Sequence, residues 1–314
     1  MHVAVLDDYQ EVAASYAQWG TLKAEVSFFP DHLSDPTALV DRLVGFDVIV
    51  AMRERTAFRR SLLEVLPNLR LLVTTGMRNA SIDLEAAADL GITVAGTASP
   101  GAGTAELAFG MLLALSRSLI SEVRSVAEGG WQQRIGRDLR GSNLGVIGLG
   151  KLGAEVARYG RAFGMNVIAW SQNLTPERAD EVGARWATRE ALLSNSDFVT
   201  IHLRLSDRTM GLIGRAELEM MRPTAYLINT SRGEIVDTEA LLTALDSGVL
   251  AGAGIDVFDV EPLPADDRRR THPKILATPH IGYVTDATYQ VFYSEAVEDI
   301  ASWQAGTPIR VLSA

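Results

Sequence analysis

The stretch LGVIGLGKLGAEVA, residues 144–157, combines an apolar run, three spaced glycines and the start of a helical segment. Gly148, Gly150 and Gly153 fit the pattern G-x-G-x-x-G, which carries meaning when it lies directly between a strand and a helix. Gly148 permits a tight turn, Gly150 lets a pyrophosphate approach the backbone, and Gly153 allows close packing of helix on strand. The stretch therefore predicts a dinucleotide-binding unit; the alternative is a strand–helix turn that binds nothing.

Outward from this loop, short runs of β-branched and apolar residues alternate with helical segments along the chain. Upstream the runs are HVAVLD, DVIVA, LRLLVTT and GITVAG; downstream they are LGVIG, NVIAW, DFVTIHL, AYLINT, AGAGIDV and ILATPH. Strands alternating with helices predict an α/β fold with doubly wound parallel sheets, and six downstream strands suit a dinucleotide-binding sheet. A length of 314 residues exceeds one ordinary core, so we expect two domains.

The second series of strands resembles a complete unit inserted before a C-terminal helix, TDATYQVFYSEAVEDIASWQAG. We expect that helix to pack on the first domain, and two crossings between the domains would give a hinged cleft. One long apolar helix is predicted from Glu106 to about Ala127. It is either an ordinary core helix or an interdomain and dimer element.

The strand after the glycine loop ends in VIAWSQN, residues 167–173, where an Asp or Glu normally binds the ribose hydroxyls of NAD. Ser171 stands at that position, followed by Gln172 and Asn173. A carboxylate would repel the extra phosphate of NADP, whereas the Ser171 hydroxyl and the Asn173 amide can donate to it. The pattern predicts NAD(P) as the cofactor, with NADP favoured.

The start of the helix that follows the glycine loop offers further phosphate contacts. Amides there, at Lys151 and Leu152, supply donors and a partial positive charge. No arginine follows Ser171 immediately, so Lys151 and Arg178 are the nearest cations for an NADP phosphate.

Three segments of the second half, LINTSRGEIVD, GIDVFDVEP and TPHIG, each follow a predicted strand and bring Arg232, Glu261 and His280 to the carboxyl edge of the sheet. Such a set suits the reduction of a 2-keto acid, because a guanidinium binds a carboxylate and an imidazole exchanges a proton. A neighbouring carboxylate favours the charged imidazole and fixes its orientation. Asp256 is expected to hydrogen-bond the nicotinamide amide, and His202 is interpreted as structural. Taken alone, each of these residues is equally consistent with an ordinary loop or surface position that has no catalytic role.

The composition of the chain limits the kinds of partner and chemistry that we expect. The formal charge of -10 argues against nucleic acid, and the absence of cysteine excludes disulfides and thiolate chemistry. No secretion signal, long apolar span or cluster of metal ligands is evident, so we expect a cytoplasmic protein with no membrane partner and no metal.

The motifs GLGKLG, NTSRGEIVD, GIDVFDVEP and PHIG together resemble the D-isomer-specific 2-hydroxyacid dehydrogenases over nearly the whole chain. The resemblance implies that Arg232 binds substrate, that His280 is the acid–base and that Glu261 is its partner. It also implies a homodimer in which a Rossmann nucleotide domain, residues 99–281, is inserted in a flavodoxin-like substrate domain, residues 1–98 and 282–314.

The same resemblance implies substrate contacts in the first domain. In VTTGMRNASID, backbone amides near Gly76 and Met77 match the loop that holds the substrate carboxylate, and Arg78 is unusual there. It would approach an acidic substrate group or point to solvent. Met52 and Arg53, in VAMRERT, resemble pocket-wall positions. Thr104, in GAGTAELAFG, matches a position near the nicotinamide.

With Ser171 at the end of the strand that follows the glycine loop, the chain resembles the glyoxylate and hydroxypyruvate reductases that favour NADPH, although those usually carry a basic residue nearby. The sequence therefore predicts a reductase of such small 2-keto acids. The alternatives are a dehydrogenase of phosphorylated or bulkier 2-hydroxy acids and a nucleotide-sensing protein similar to the corepressors of this family.

Overall fold

The computed structural model describes residues 1–313, which form two compact units. The first unit comprises Met1–Pro100 and the segment from Val284 onward, and the second comprises Gly101–Tyr283. Each unit has its own parallel sheet and its own buried apolar clusters.

The first unit contains a five-stranded sheet in the spatial order β2-β1-β3-β4-β5. The strands are β1 (His2–Val5), β2 (Glu25–Phe28), β3 (Val48–Ala51), β4 (Leu71–Thr74) and β5 (Thr93–Gly96). The helices are α1 (Ala13–Tyr16), α2 (Pro36–Leu43), α3 (Arg60–Leu63), α4 (Leu84–Asp89) and the C-terminal helix Asp286–Gln304. The strand order is that of flavodoxin-like sheets, and the fully buried β3 and β4 are typical of strands covered on both faces.

The second unit contains a seven-stranded parallel sheet in the order β12-β11-β10-β9-β6-β7-β8. The strands are β6 (Asn143–Ile147), β7 (Asn166–Trp170), β8 (Arg185–Trp186), β9 (Phe198–Ile201), β10 (Tyr226–Asn229), β11 (Gly252–Ile255) and β12 (Ile275–Ala277). The helices are α5 (Ala102–Ser116), α6 (Leu119–Ala127), α7 (Lys151–Ala162), α8 (Pro176–Asp180), α9 (Arg189–Asn195), α10 (Arg215–Met220) and α11 (Thr238–Asp246). This is the dinucleotide-binding order with one added strand, which confirms the predicted fold class of two doubly wound sheets.

The sequence missed two strands and placed one helix wrongly. Strand β2 lies at a sheet edge and is only partly buried, and β8 has two residues, so neither gives a clear apolar run. The single long helix predicted from Glu106 is two helices, α5 and α6, bent by 63° where Ser118 adopts a left-handed φ of 51°. No single helix within residues 1–313 is long and apolar enough to cross a membrane, and the bent pair passes that test only when the two are joined.

The register of the second sheet aligns the ends of its strands. One row of paired residues crosses six strands: Trp170, Ile147, Ile201, Asn229, Ile255 and Ala277. The chain leaves the sheet after each of these residues, on the same edge. Five of the six exits lead directly into segments that the sequence marked: the serine end of β7, the glycine loop, and the loops bearing Arg232, Glu261 and His280.

Candidate active site

The glycine loop follows β6 and is shaped by close contacts on both sides. Gly148 has φ +95°, its N–H donates to the Trp170 carbonyl at 2.8 Å, and a Cβ there would lie 2.5 Å from the His202 carbonyl oxygen. A Cβ on Gly153 would overlap the Gly148 carbonyl oxygen, so α7 packs directly on the loop. A Cβ on Gly150 would meet no atom within 4 Å, which leaves the backbone open there.

The start of α7 is suited to an anion. Helices α8, α9 and α11 each begin with a capping side chain, from Thr175, Thr188 and Asp237, whereas no side chain caps α7 at Gly150. The first amides of a helix lack intrahelical acceptors, and they carry the positive end of its dipole. An uncapped helix start beside an open glycine therefore fits the pyrophosphate of a dinucleotide.

The end of β7 presents Ser171 half-buried and both Gln172 and Asn173 exposed. Arg178, one of the two cations expected to help there, pairs instead with Glu181 at 2.8 Å on α8. The other, Lys151, is exposed at the first position of α7.

The loop after β9 flanks the glycine loop on the other side, because His202 contacts Gly148. It exposes Arg204 and Arg208, which form no ion pair with any residue in 1–313. The sequence alone does not show that these arginines lie near the glycine loop, because their position depends on the strand order, which puts β9 beside β6. His202 has Nε2 2.9 Å from the Thr200 hydroxyl, and burial lowers its pKa to about 4, so it is neutral at pH 7.

Arg232 lies between β10 and the short 3-10 turn Gly233–Ile235 and is half-buried. Its carbonyl accepts from the Asn229 side chain at 2.8 Å, and its Nη1 donates to the Ser231 carbonyl at 2.7 Å. A Cβ on Gly233 would overlap the backbone of Phe258, so the Arg232 segment packs against the loop that bears Glu261.

Glu261 and His280 form a direct pair. Oε2 of Glu261 lies 2.6 Å from Nδ1 of His280, and Oε1 accepts the Phe258 N–H at 2.8 Å. The side chains are 26% and 20% exposed, so the pair is accessible yet partly shielded from water. Nε2 of His280 makes no hydrogen bond within the described chain, which leaves it available to a substrate.

Asp256 holds the histidine loop in place. Its carboxylate accepts from the Thr278 hydroxyl at 2.6 Å and from the amides of Ile281 and Gly282 at 2.8 Å each. Burial raises the pKa of Asp256. A Cβ on Gly282 would approach the Thr104 side chain to 3.2 Å, so Thr104 lies against the same loop. A contact of either residue with nicotinamide stays a prediction.

In the first unit, Arg53 folds over Gly76. Nη1 of Arg53 donates to the Thr75 carbonyl at 3.0 Å and occupies the place of a Cβ on Gly76. The Gly76 amide, expected to bind substrate, donates to the Thr97 hydroxyl at 2.9 Å. Gly76 has φ +98°, so its observed role is conformational.

The neighbouring amides are available where that of Gly76 is not. Met77 and Arg78 are exposed, and their N–H groups donate to no residue in 1–313. Met52 is 1% exposed, with its sulfur 3.4 Å from the Thr75 hydroxyl, so it packs into the end of the sheet.

The loops at the carboxyl edge of the second sheet contribute groups that suit one reaction. They combine an uncapped helix start for an anion, a guanidinium, and an imidazole oriented by a carboxylate. These are the groups needed to bind a dinucleotide and a carboxylic acid and to move one proton at a carbinol oxygen.

Comparisons with known proteins agree with that chemistry. The chain is 36% identical over 274 residues to the glyoxylate reductase of Thermococcus litoralis, covering 83% of this chain and 82% of that protein. It is 35% identical over 286 residues to the hydroxypyruvate reductase of Thermotoga maritima, covering 88% and 91%. The solved phosphoglycerate oxidoreductase of Vibrio cholerae o395 superposes with a TM-score of 0.93 at 34% identity, covering 98% of this chain and 99% of that one.

The family description that matches residues 109–282 is D-isomer specific 2-hydroxyacid dehydrogenase, NAD binding domain. That range contains the glycine loop, Arg232, Glu261 and His280. The chain belongs to the D-isomer specific 2-hydroxyacid dehydrogenase family, and it is an NAD-binding oxidoreductase that acts on the CH–OH group of 2-hydroxy acids.

Proposed function

We propose that the enzyme reduces small 2-keto acids of the glyoxylate or hydroxypyruvate class and prefers NADPH to NADH. The observation that carries the proposal is the pair of Glu261 with His280, at 2.6 Å, which leaves Nε2 of the histidine to exchange a proton with substrate. The names of the two relatives given above support the substrate class.

The reaction divides between the bound cofactor and the chain. When bound, the nicotinamide supplies the hydride that adds to the carbonyl carbon. His280 donates a proton from Nε2 to the carbonyl oxygen, and Glu261 stabilises the imidazolium form that gives this proton. In the oxidation direction Nε2 takes the proton back. Arg232 binds the substrate carboxylate with paired N–H groups and polarises the carbonyl.

We propose further substrate contacts from the first unit. The amides of Met77 and Arg78, which donate to no described residue, hold the carboxylate in place of the engaged amide of Gly76. Met52 and Arg53 then form part of the pocket wall near that loop.

The cofactor preference rests on the two loops that flank Gly148. Ser171 and Asn173 provide neutral donors where a carboxylate would repel a 2′-phosphate. The exposed Arg204, on the β9 side, provides the cation that the loop after β7 lacks. Thr104 and Asp256 lie beside the His280 loop, where we place the nicotinamide.

A second candidate, a dehydrogenase of phosphorylated or bulkier acids, is favoured by one observation. The side chain of Arg78 is exposed and forms no ion pair with residues 1–313, so it is able to bind a second acidic group. The name of the Vibrio cholerae structure points the same way.

The test is initial-rate oxidation of NADPH and of NADH with glyoxylate, hydroxypyruvate, 3-phosphohydroxypyruvate, pyruvate and phenylpyruvate. We expect the highest kcat/KM with NADPH and either glyoxylate or hydroxypyruvate. A phosphorylated acid as the best substrate would favour the second candidate. Very slow turnover with every acid would favour a nucleotide-sensing protein.

We also propose a cytoplasmic homodimer without nucleic-acid or membrane partners. Helix α6 has no buried residue, and the exposed fractions of Ile120, Val123 and Val126 are 52%, 66% and 60%. Trp131, just beyond the helix, is 73% exposed. A contiguous apolar face of this kind suits a two-fold interface with a second copy, and the net charge of -10 supports the absence of polyanion partners.

A further inference from the structure

Arg269 is a buried cation beneath the loop that carries Glu261. It lies in the short turn Arg268–Arg270 and is 6% exposed. Its Nε and Nη2 donate to the two oxygens of Asp267 at 2.9 and 2.6 Å, and Nη1 donates to Asp259 at 2.5 Å and to Thr238 at 3.2 Å. Burying a guanidinium is tolerated when its donors are paired in this way, so its geometry is fixed by four bonds.

Two of its contacts are with side chains of the loop that leads to Glu261. The guanidinium lies over the Phe258 ring, 5.3 Å from the centroid, and bonds the carboxylate of Asp259. The amide of Phe258 is also the donor that holds Oε1 of Glu261. Arg269 therefore constrains the residue that orients the carboxylate, although it does not touch the carboxylate itself.

The backbone of Phe258 and Asp259 also meets the segment that follows Arg232. A Cβ on Gly233 would overlap the backbone of both Phe258 and Asp259, so the two residues whose side chains contact the guanidinium of Arg269 also pack against Gly233. A shift at Phe258 would therefore change the spacing of Glu261 and Arg232 together.

We propose that Arg269 is a positioning residue for the proton-transfer pair: it holds Phe258 and Asp259 so that Glu261 stays on Nδ1 of His280 and Arg232 keeps its distance from them. This role rests on the proposed function. A guanidinium suits this role because its planar fork bonds two carboxylates in fixed directions while its face stacks on a ring, whereas an ammonium is a compact point charge without that fixed geometry.

The test compares Arg269→Met and Arg269→Lys with the neighbouring control Arg268→Met. Arg268 is exposed and pairs with Asp246 on the surface, so its loss leaves the Phe258 backbone untouched. We expect Arg269→Met to lower kcat for the keto acid at least about 10-fold, to shift the basic limb of the pH profile of kcat/KM to lower pH, and to leave KM for NADPH unchanged. Arg269→Lys should fall between the parent and Arg269→Met.

A merely structural role predicts a different result: a lower Tm with an unchanged pH profile, measured well below that Tm. That result would overturn the proposal. Asp259→Asn provides a milder variant that keeps the pair of Arg269 with Asp267 in case Arg269→Met does not fold, and we expect the same direction of shift.

A separate readout distinguishes this proposal from the reaction itself. The ring signals of His280 can be observed by NMR without substrate, and Arg269→Met should change the Nδ1–H signal, which reports the hydrogen bond with Glu261. If the parent protein turned over no keto acid, the proposed function would fail while this comparison still decided the role of Arg269. An identical Nδ1–H signal in parent and variant would refute the positioning role whatever the substrate.

Discussion

Glu261 contacts His280 at 2.6 Å with one carboxylate oxygen while its other oxygen accepts the N–H of Phe258. Both carboxylate oxygens are therefore engaged, and the carboxylate holds the imidazole at Nδ1 while Nε2 makes no hydrogen bond within the described residues.

Replacing His280 with Ala removes the proton donor and should lower kcat by roughly 10²- to 10⁴-fold, the usual contribution of general acid–base catalysis. Binding of NADPH, followed by fluorescence titration, should change little. Glu261→Gln should lower kcat less, because the histidine remains. Activity of His280→Ala near that of the parent would disprove the acid–base assignment.

Two glycine variants separate packing from cofactor binding. Gly153→Ala puts a methyl against the Gly148 carbonyl, so both Tm and NADPH affinity should fall. Gly150→Ala meets no protein atom within 4 Å, so Tm should stay the same while the methyl obstructs the pyrophosphate. Calorimetry and cofactor titration of both variants check this. Unchanged affinity in Gly150→Ala would mean that the pyrophosphate does not lie on this loop.

Ser171→Asp should reverse the cofactor preference toward NADH, because a carboxylate binds ribose hydroxyls and repels a 2′-phosphate. Arg204→Ala should raise KM for NADPH by about 10-fold, the loss of one charge-assisted hydrogen bond, with KM for NADH unaffected. Arg178→Ala is the matched control, since Arg178 already pairs with Glu181. Equal changes for both cofactors in Arg204→Ala would contradict its contact with the phosphate.

The exposed face of α6 provides a test of assembly. Val123→Glu places a charge in the centre of the apolar face and should convert a dimer to a monomer in sedimentation experiments. Glu128→Gln, at the C-cap of the same helix, is a conservative control that should remain dimeric. A parent protein that sediments as a monomer would refute the interface.

His202 predicts a pH dependence of stability. Burial lowers its pKa from 6.5 to about 4, so the unfolded chain binds more protons than the folded chain between those values. The free energy of unfolding should thus be highest above pH 6.5 and should fall toward pH 4, by at most about 3 kcal/mol from this group.

Asp299 acts in the opposite direction over an overlapping range, since burial raises its pKa to about 7. Its stabilising contribution is present at low pH and is lost as the pH rises toward 7. The contribution of His202 is therefore measured as the difference between the parent and His202→Gln in denaturant titrations at pH 4.5 and 7. The same difference at both pH values would show that His202 does not titrate abnormally.

The candidate site residues were recognisable in the sequence because their residue types are unusual for their positions relative to the predicted strands and helices. Glycines between a strand and a helix, and charged residues at the ends of apolar strands, indicated the loop at Gly148 and the pair of Glu261 with His280. Such signals are local in the chain, so one sequence is enough to find them. The fold class followed in the same way from alternating strands and helices.

What the sequence did not reveal depends on tertiary packing. In the sequence Arg204 and Arg269 look like ordinary surface arginines. Only the strand order puts Arg204 near the glycine loop, and only the fold shows that Arg269 is buried. The break at Ser118 lies within a continuous apolar stretch, where helical periodicity gives no sign of a left-handed residue. The engagement of the Gly76 amide by Thr97 likewise depends on two strands 21 residues apart in sequence.

The row of paired residues across the second sheet shows how far the residues expected to set the cofactor preference lie from the acid–base pair. Four strand spacings lie between β7, which is followed by Ser171, and β11, which leads to Glu261, or about 19 Å at 4.8 Å each. Substitutions that far apart generally contribute independently to the free energy. Cofactor choice and acid–base chemistry should accordingly be modular: exchanging one loop should transplant a preference for NADH or NADPH without retuning the proton transfer.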